Sequence, residues 1–374
     1  MGIRLKYALA LLAAAELLAS RSAGLAQTGA AVAPGVGAVA TPAAPVADKA
    51  EHPNPVPGRV YLDVVVAPKA GAAVTELTQQ EFSILDNKIA QPVASFVAPS
   101  AVAGAASGRL VQVILLVDVL NSQAVTLAKE RPELDKFLLA NDGKMAYPTT
   151  LGVLTENGVH LQPGGSQAGR GLSAALDRYL PTAHPDQRIP GFNGGEEKVQ
   201  KSLLALAGLL AQLEKQPGRK LVLWVSAGWP YFAGAGMYLD EKQQRQVYSQ
   251  IVTVSGLLRR AHVTLYCIDP LGSAESVFQS QAYRQYLKPA TKPEQAEPGD
   301  LALQVLATQS GGLVLGSNSS VSELLVRAVA DAGESYEIGF DPKPAGPGEY
   351  HALQVQVDKP GMVVRTRWGY YGEP

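Results

Sequence analysis

One cysteine in 374 residues, Cys267, excludes an internal disulfide, and its place inside the apolar run HVTLYCID reads as a small buried hydrophobe, not a reactive thiol. No cysteine lies near the amino terminus, so no lipid anchor is expected there. Charge is sparse and balanced, with 32 Lys and Arg against 33 Asp and Glu and a net charge of -1. Without a basic surplus to displace counterions from phosphates, nucleic acid is not an expected partner. The histidines, His52, His160, His184, His262 and His351, show no H-x-x-x-H or H-E-x-x-H spacing, so no zinc site is signalled. Ser166 in PGGSQAG lacks the second glycine of G-x-S-x-G, and Ser226 follows a strand with no evident base, so serine hydrolase chemistry is unsupported. Gly311-Gly312 follow a helix and precede a strand, the reverse of a phosphate-cradling loop.

What is present falls into blocks. Residues 1–26 pair a basic start (Arg4, Lys6) with an apolar stretch from Tyr7 to Ala19 and the small-residue site Gly24-Leu25-Ala26. This reads as a cleaved secretory signal, and the stretch is shorter than the ~20 residues needed to span a bilayer. Export to the periplasm or beyond is the expectation, with no transmembrane segment in the mature chain. Residues 27–57 hold Ala, Pro, Gly and Val without aromatics or period, a composition that cannot offset its ordering entropy and reads as a tether.

From residue 58 the patterns become regular. In RVYLDVVVA, Val60, Leu62, Val64 and Val66 alternate with other residues as on a half-buried strand. Thr78 and Glu81 have capping-box spacing, and FSILDNK with PVASFVA reads as a hairpin turning at Asp86-Asn87. LVQVILLVD, RKLVLWVSAG and HVTLYCID are continuous apolar runs suited to central parallel strands, separated by helical patterns such as EEKVQKSLLALAGLLAQLEK. A helix capped by Asp300 is expected in DLALQVLATQSGG. Strand and helix alternate over 108–333, which predicts a doubly wound, mainly parallel α/β sheet. Strands return in SYEIGFD, EYHALQVQVD and GMVVRTRWGYY. Residues 58–99 and 334–374 are each too small to stand alone, so together they are expected to form one flanking β-sandwich.

The order of PGRKLVLWVSAGWP, LYCIDP, LATQSGG, SYEIGF and RWGYYG across this region resembles the von Willebrand factor A-related (VWFA-related) acidobacterial domain family. The resemblance implies a Rossmann-like protein-interaction or adhesion module, in which a D-x-S-x-S loop, a downstream Thr and a T-D-G turn hold a divalent ion. Residue by residue, Asp118 matches the first ligand and Ser122 the second serine, while Leu120 stands at the first serine and Ala227 at the Asp of T-D-G. Ser202 is a weak substitute for the Thr. Asp118 and Ser122 are thus the oxygens left for Mg²⁺ or Ca²⁺, and a hard cation that wants several oxygens is not expected to bind tightly where two are carbon. A cap on the following helix is the expected role of Asp118, whose loss would then cost about 0.5 to 2 kcal/mol.

The expected function is that of an exported, non-enzymatic module binding an unidentified protein, with no catalytic residues and no cofactor. Its binding loops would be Asp118, Asn121 and Ser122, and Ser226, Trp229, Tyr231 and Phe232. An envelope enzyme or maturation factor using the same loops, or a purely structural scaffold, are the alternatives.

Overall fold

The computed structural model describes residues 56, 58–69, 71–99, 110–180, 192–229, 239–271, 282–316 and 319–373. The expected leader and, apart from Val56, the tether lie outside them. Asn54–Pro374 forms one compact unit.

β1 (Val60–Pro68) alternates as its sequence predicts, with Val60, Leu62, Val64 and Val66 buried. β2 (Phe82–Asp86) and β3 (Ile89–Gln91) form a hairpin that reverses through Asn87 and Lys88, both at positive φ. The expected partner PVASFVA does not complete this hairpin. β3 stops before Pro92, which has no N–H for a ladder, and β4 (Ser95–Val97) crosses to a different sheet.

β5 (Val111–Asp118) is buried from Val113 onward. After it come α1 (Ala124–Gly143), β6 (Lys144–Thr155), β7 (Gly158–Leu161), β8 (Ser166–Ala168), α2 (Gly169–Tyr179), α3 (Phe192–Leu213) and β9 (Arg219–Val225). Helical geometry in α1 ends before Ala140, where the backbone extends and Asn141 and Asp142 turn left-handed. The chain continues through α4 (Glu241–Arg260), β10 (Val263–Ile268), α5 (Leu303–Gln309), β11 (Val314–Leu315) and α6 (Val321–Glu334). It closes with β12 (Ser335–Phe340), β13 (Tyr350–Val357), β14 (Met362–Arg365) and β15 (Gly369–Tyr371). α5 starts later than its sequence suggests, because Asp300 belongs to a separate 3-10 turn and accepts from the Glu297 N–H at 2.8 Å. Gly311, at φ 91°, ends α5 in a backbone conformation that glycine adopts freely.

The central sheet runs β11-β10-β9-β5-β6-β7, with β8 also on β6. β5, β6, β9, β10 and β11 are mutually parallel, and β7 and β8 are antiparallel additions. Val113, Leu115 and Val117 of β5 face one core with Leu134 and Leu138 of α1, Leu172 and Leu176 of α2, and Leu324 and Leu325 of α6. Alternation sends Ile114 and Leu116 to the opposite face, where α4 and α5 pack on β10. Two four-stranded antiparallel sheets, β14-β1-β12-β4 and β15-β13-β2-β3, share a second core of Val60, Leu62, Val64, Ile84, Phe82, Tyr336, Phe340 and Val355. The architecture is therefore mixed α/β, a mostly parallel sheet beside a sandwich drawn from early and late segments of the described residues. No described helix is long and apolar enough to cross a membrane.

The sandwich meets the parallel sheet at its amino edge. Arg219, the first residue of β9, pairs with Asp63 of β1 at 2.9 Å, and Arg365 of β14 reaches Asp331 of α6 at 2.5 Å, beside the Tyr266 hydroxyl of β10, which donates to Asp331 at 2.7 Å. The carboxyl edge, where β5 ends at Asp118, faces away from this junction.

α6 begins with a reciprocal cap: Ser320 Oγ accepts from the Glu323 N–H, and Glu323 accepts from the Ser320 N–H at 3.2 Å. Ser320→Ala should lower the stability of the chain by about 1 kcal/mol. Urea unfolding would show it as a lower midpoint at an unchanged slope.

Candidate functional site

β5 delivers Asp118 to the carboxyl edge fully buried, and the loop after it is pinned by the N–H groups of Val119 and Leu120, which both donate to the Leu154 carbonyl of β6. The Asp118 carboxylate is closed off by donors. Oδ1 accepts the Asn121 N–H at 2.9 Å, and the Asn121 side-chain amide donates to Oδ1 at 3.1 Å and to Oδ2 at 2.9 Å. Oδ2 also accepts the indole N–H of Trp224 at 3.1 Å and the Ser226 hydroxyl at 2.9 Å. The same Asn121 nitrogen donates to Ser202 Oγ of α3 at 3.0 Å. Burial raises the Asp118 pKa, against the opposing pull of the bonds from Asn121, Ser226 and Trp224.

Asp118 does not cap α1. The residue at the N-cap is Gln123, which makes no side-chain cap bond, and the Asp118 carboxylate turns back under its own loop to Asn121. Ser122 is half-buried and contributes no bond to the cluster, and Leu120 is buried. Ser202, the weak stand-in for a threonine, is fully buried and is brought to the cluster through Asn121.

A divalent ion fits this arrangement poorly. Asn121 Nδ2 already bridges Asp118 and Ser202, the two groups between which a cation would have to sit, and Leu120 offers carbon where an oxygen is needed. Among the described residues, no three of His, Cys, Asp and Glu converge so as to hold a metal ion.

The second expected loop leaves β9 through Ser226. Its hydroxyl accepts from the Gly228 N–H at 3.0 Å while donating to Asp118, and Gln304 of α5 donates to the Ala227 carbonyl at 2.9 Å. Gly228, at φ 95°, lies against that Gln304 amide, and a Cβ there would come within 2.4 Å of its nitrogen. Trp229 packs inward: it is 2% exposed, meets Trp224 edge to face at 5.3 Å and donates its indole N–H to the Leu301 carbonyl at 3.1 Å. An indole placed this way fills the core and leaves little to offer a partner. Tyr231 and Phe232 lie outside the described residues. Cys267 is buried, donates weakly to the Ser226 carbonyl at 3.4 Å and has its pKa pushed well up by burial, so it is an inert thiol.

Two residues at this edge escape sequence reasoning. Trp224 sits in the middle of an apolar run, and only its N–H, which needs an acceptor once buried, hints at a polar neighbour. Glu130, on α1, is 2% exposed, and neither of its carboxylate oxygens has a hydrogen-bond partner. Burial, reinforced by Asp118 and Asp269, pushes its pKa up to about 8. The edge thus holds one carboxylate saturated by donors and one kept protonated near neutrality by its surroundings.

No family model matches the chain, and no curated protein matches it. Among solved structures it is similar to the pilus adhesin SpaC from Lactobacillus rhamnosus GG, at 7% identity and a TM-score of 0.31, over 77% of this chain and 48% of that one. The chain thus spans about half the length of that adhesin. It is also similar to the TFIIH p34 N-terminal domain, at 12% identity and a TM-score of 0.26, over 53% of this chain and 96% of that one. Likeness at this level carries no residue-by-residue correspondence.

Proposed function

We propose that this chain is an exported, non-enzymatic protein-interaction module of the von Willebrand factor A type, whose loop at the carboxyl edge of the sheet works without a metal ion. The observation that carries the reading is the Asn121 side-chain amide, which donates to both oxygens of Asp118 and to Ser202 Oγ. A neutral amide of the chain itself supplies the bridge that a cation supplies in an ion-dependent loop. With its acceptor positions engaged, Asp118 is available neither as a ligand nor as a base, which disfavours the enzyme alternative. Recognition then uses the loops around 118–122 and 226–238, and the partner is a protein.

Calorimetric titration of the purified chain with Mg²⁺, Mn²⁺ and Ca²⁺ should give no saturable heat, and Asp118→Ala should behave the same way. A photo-cross-linking residue at Tyr231 should capture one protein in the producing cells, equally with and without EDTA. Saturable heat that disappears with Asp118, or capture that EDTA abolishes, would make the loop an ion-dependent site and overturn the proposal.

A further inference from the structure

Within the sandwich, a buried histidine stands between two carboxylates. His351 of β13 is 8% exposed, and Asp86, at the end of β2, is 4% exposed. Nδ1 of His351 lies 2.8 and 3.0 Å from the two Asp86 oxygens. Tyr370 of β15 stacks on the imidazole at 4.8 Å and donates its hydroxyl to Asp86 Oδ2 at 2.8 Å. The other ring nitrogen, Nε2, is buried without a hydrogen bond, 3.8 Å from Glu349 Oε1. We propose that His351 is a proton-operated clasp: a proton taken up at Nε2 draws in Glu349 and fastens β2, β13 and β15 to the turn that meets α4.

The argument starts from the inventory of donors. An ionised carboxylate can only accept, so Asp86 fixes one proton of the ring on Nδ1. In the neutral ring Nε2 is then a bare acceptor, and the Glu349 carboxylate beside it is another. A second proton turns Nε2 into a donor and gives each ring nitrogen a carboxylate, in contacts that carry charge on both sides. Glu349 is already aimed, because its Oε2 accepts the Gly346 N–H at 2.9 Å. Its side chain is 57% exposed, so it can close the gap without disturbing the core.

The turn that carries Glu349 is a junction. The Glu349 carbonyl accepts from the Gly372 N–H at 2.8 Å, and the Gly348 carbonyl accepts the Tyr248 hydroxyl of α4 at 2.7 Å. Charged and titratable groups meet the ring from four elements: Asp86 of β2, Glu349 ahead of β13, Tyr370 of β15 and Arg259 of α4. The Arg259 guanidinium lies 5.8 Å from the centre of the Tyr370 ring and would repel a charged imidazole, but it is itself paired with Glu373. The charge on His351, once present, is met by Asp86 on one side and Glu349 on the other.

Thermal unfolding of the full chain and of Glu349→Gln between pH 5.5 and 8 tests the clasp. Glutamine can still accept from Gly346 but offers the ring no charge. The contact exists only in the folded, protonated chain, so the advantage of the native chain belongs to the acid end and is lost as the pH rises through the range in which histidine titrates. A Tm difference of roughly 1 to 3 °C at pH 5.5 that shrinks towards pH 8 is expected. On a His351→Gln background the same substitution should give a difference that does not depend on pH. As a measurement that needs no variant, the ¹³C signal of the Glu349 carboxyl in the native chain should move in the same step as the His351 ring signals. A Tm difference that is flat with pH in the native background, or a Glu349 signal that stays still while His351 titrates, would overturn the proposal.

Discussion

Glu130→Gln should make the chain more stable at pH 9 while changing little at pH 4.5. The expectation follows from the buried carboxyl on α1, which has no hydrogen-bond partner and a folded-state pKa of about 8 against an ordinary value of 4.5. Over that window the folded chain keeps the Glu130 proton and the unfolded chain releases it. The unfolded state therefore binds fewer protons, and stability falls as pH rises from about 4.5 to about 8. A shift of this size is worth on the order of 5 kcal/mol once the window has been crossed. Glutamine has the same shape and never ionises, so the variant should escape the loss. Lys220, whose pKa burial lowers to about 8, and Asp300, raised to about 7 by burial, also titrate here, but they are common to both proteins and cancel in the difference. Guanidinium unfolding at pH 5, 7 and 9 would show the two stabilities diverging with pH. Parallel profiles would mean that Glu130 is solvated or paired and that its proton plays no part in folding.

The origin of that strain is local. Asp118 and Asp269 both stand near Glu130 and both disfavour its charge. Asp118 in turn is held by three side chains and a backbone N–H, so it does not yield its charge as readily as an unbonded neighbour. Burial raises the pKa of both carboxyls on this edge, and only Asp118 has donors that oppose the shift.

How much of this was legible in the sequence depends on distance along the chain. Central strands such as Val111–Asp118 and Arg219–Val225 announce themselves, because a strand covered on both faces must be apolar at every position. The capping box of Thr78 and Glu81 is equally plain, since the two meet within one turn. Locally ambiguous signals misled: Asp300 ahead of an apolar run looks like a helix cap but belongs to a 3-10 turn, and PVASFVA looks like the return strand of a hairpin but pairs with β12. The partners of Asp118 were the hardest to read. Asn121 meets Ser202 across 81 residues, and Trp224 meets Asp118 across 106. Nothing local marks such pairs, and only the closing of the sheet brings them together. The aromatic run after Ser226 suggested an exposed surface, yet Trp229 found an acceptor in Leu301 and turned inward.

Asp118→Ala should destabilise the chain by about 3 to 5 kcal/mol, well beyond the loss of a helix cap. Removing the carboxylate strands the buried Trp224 indole and Ser226 hydroxyl, each orphaned buried donor costing about 1 to 3 kcal/mol, and also frees the half-buried Asn121 N–H. Part of that cost is returned, because the carboxyl group's burial penalty disappears with it. Asp118→Asn separates the contributions. Its oxygen can still accept from Trp224 and Ser226, but its NH₂ would face the donors of Asn121, so the loss should be smaller and confined to the loop after β5. Because Ser226 also anchors the Gly228 N–H, the alanine variant should loosen the segment beyond β9 as well, while the asparagine variant should not. Hydrogen exchange read at Asn121 and at Gly228 would tell the two apart. If alanine and asparagine cost the same and neither frees Gly228, the carboxylate is not the joint between the two loops, and the metal-independent reading of this edge loses its structural basis.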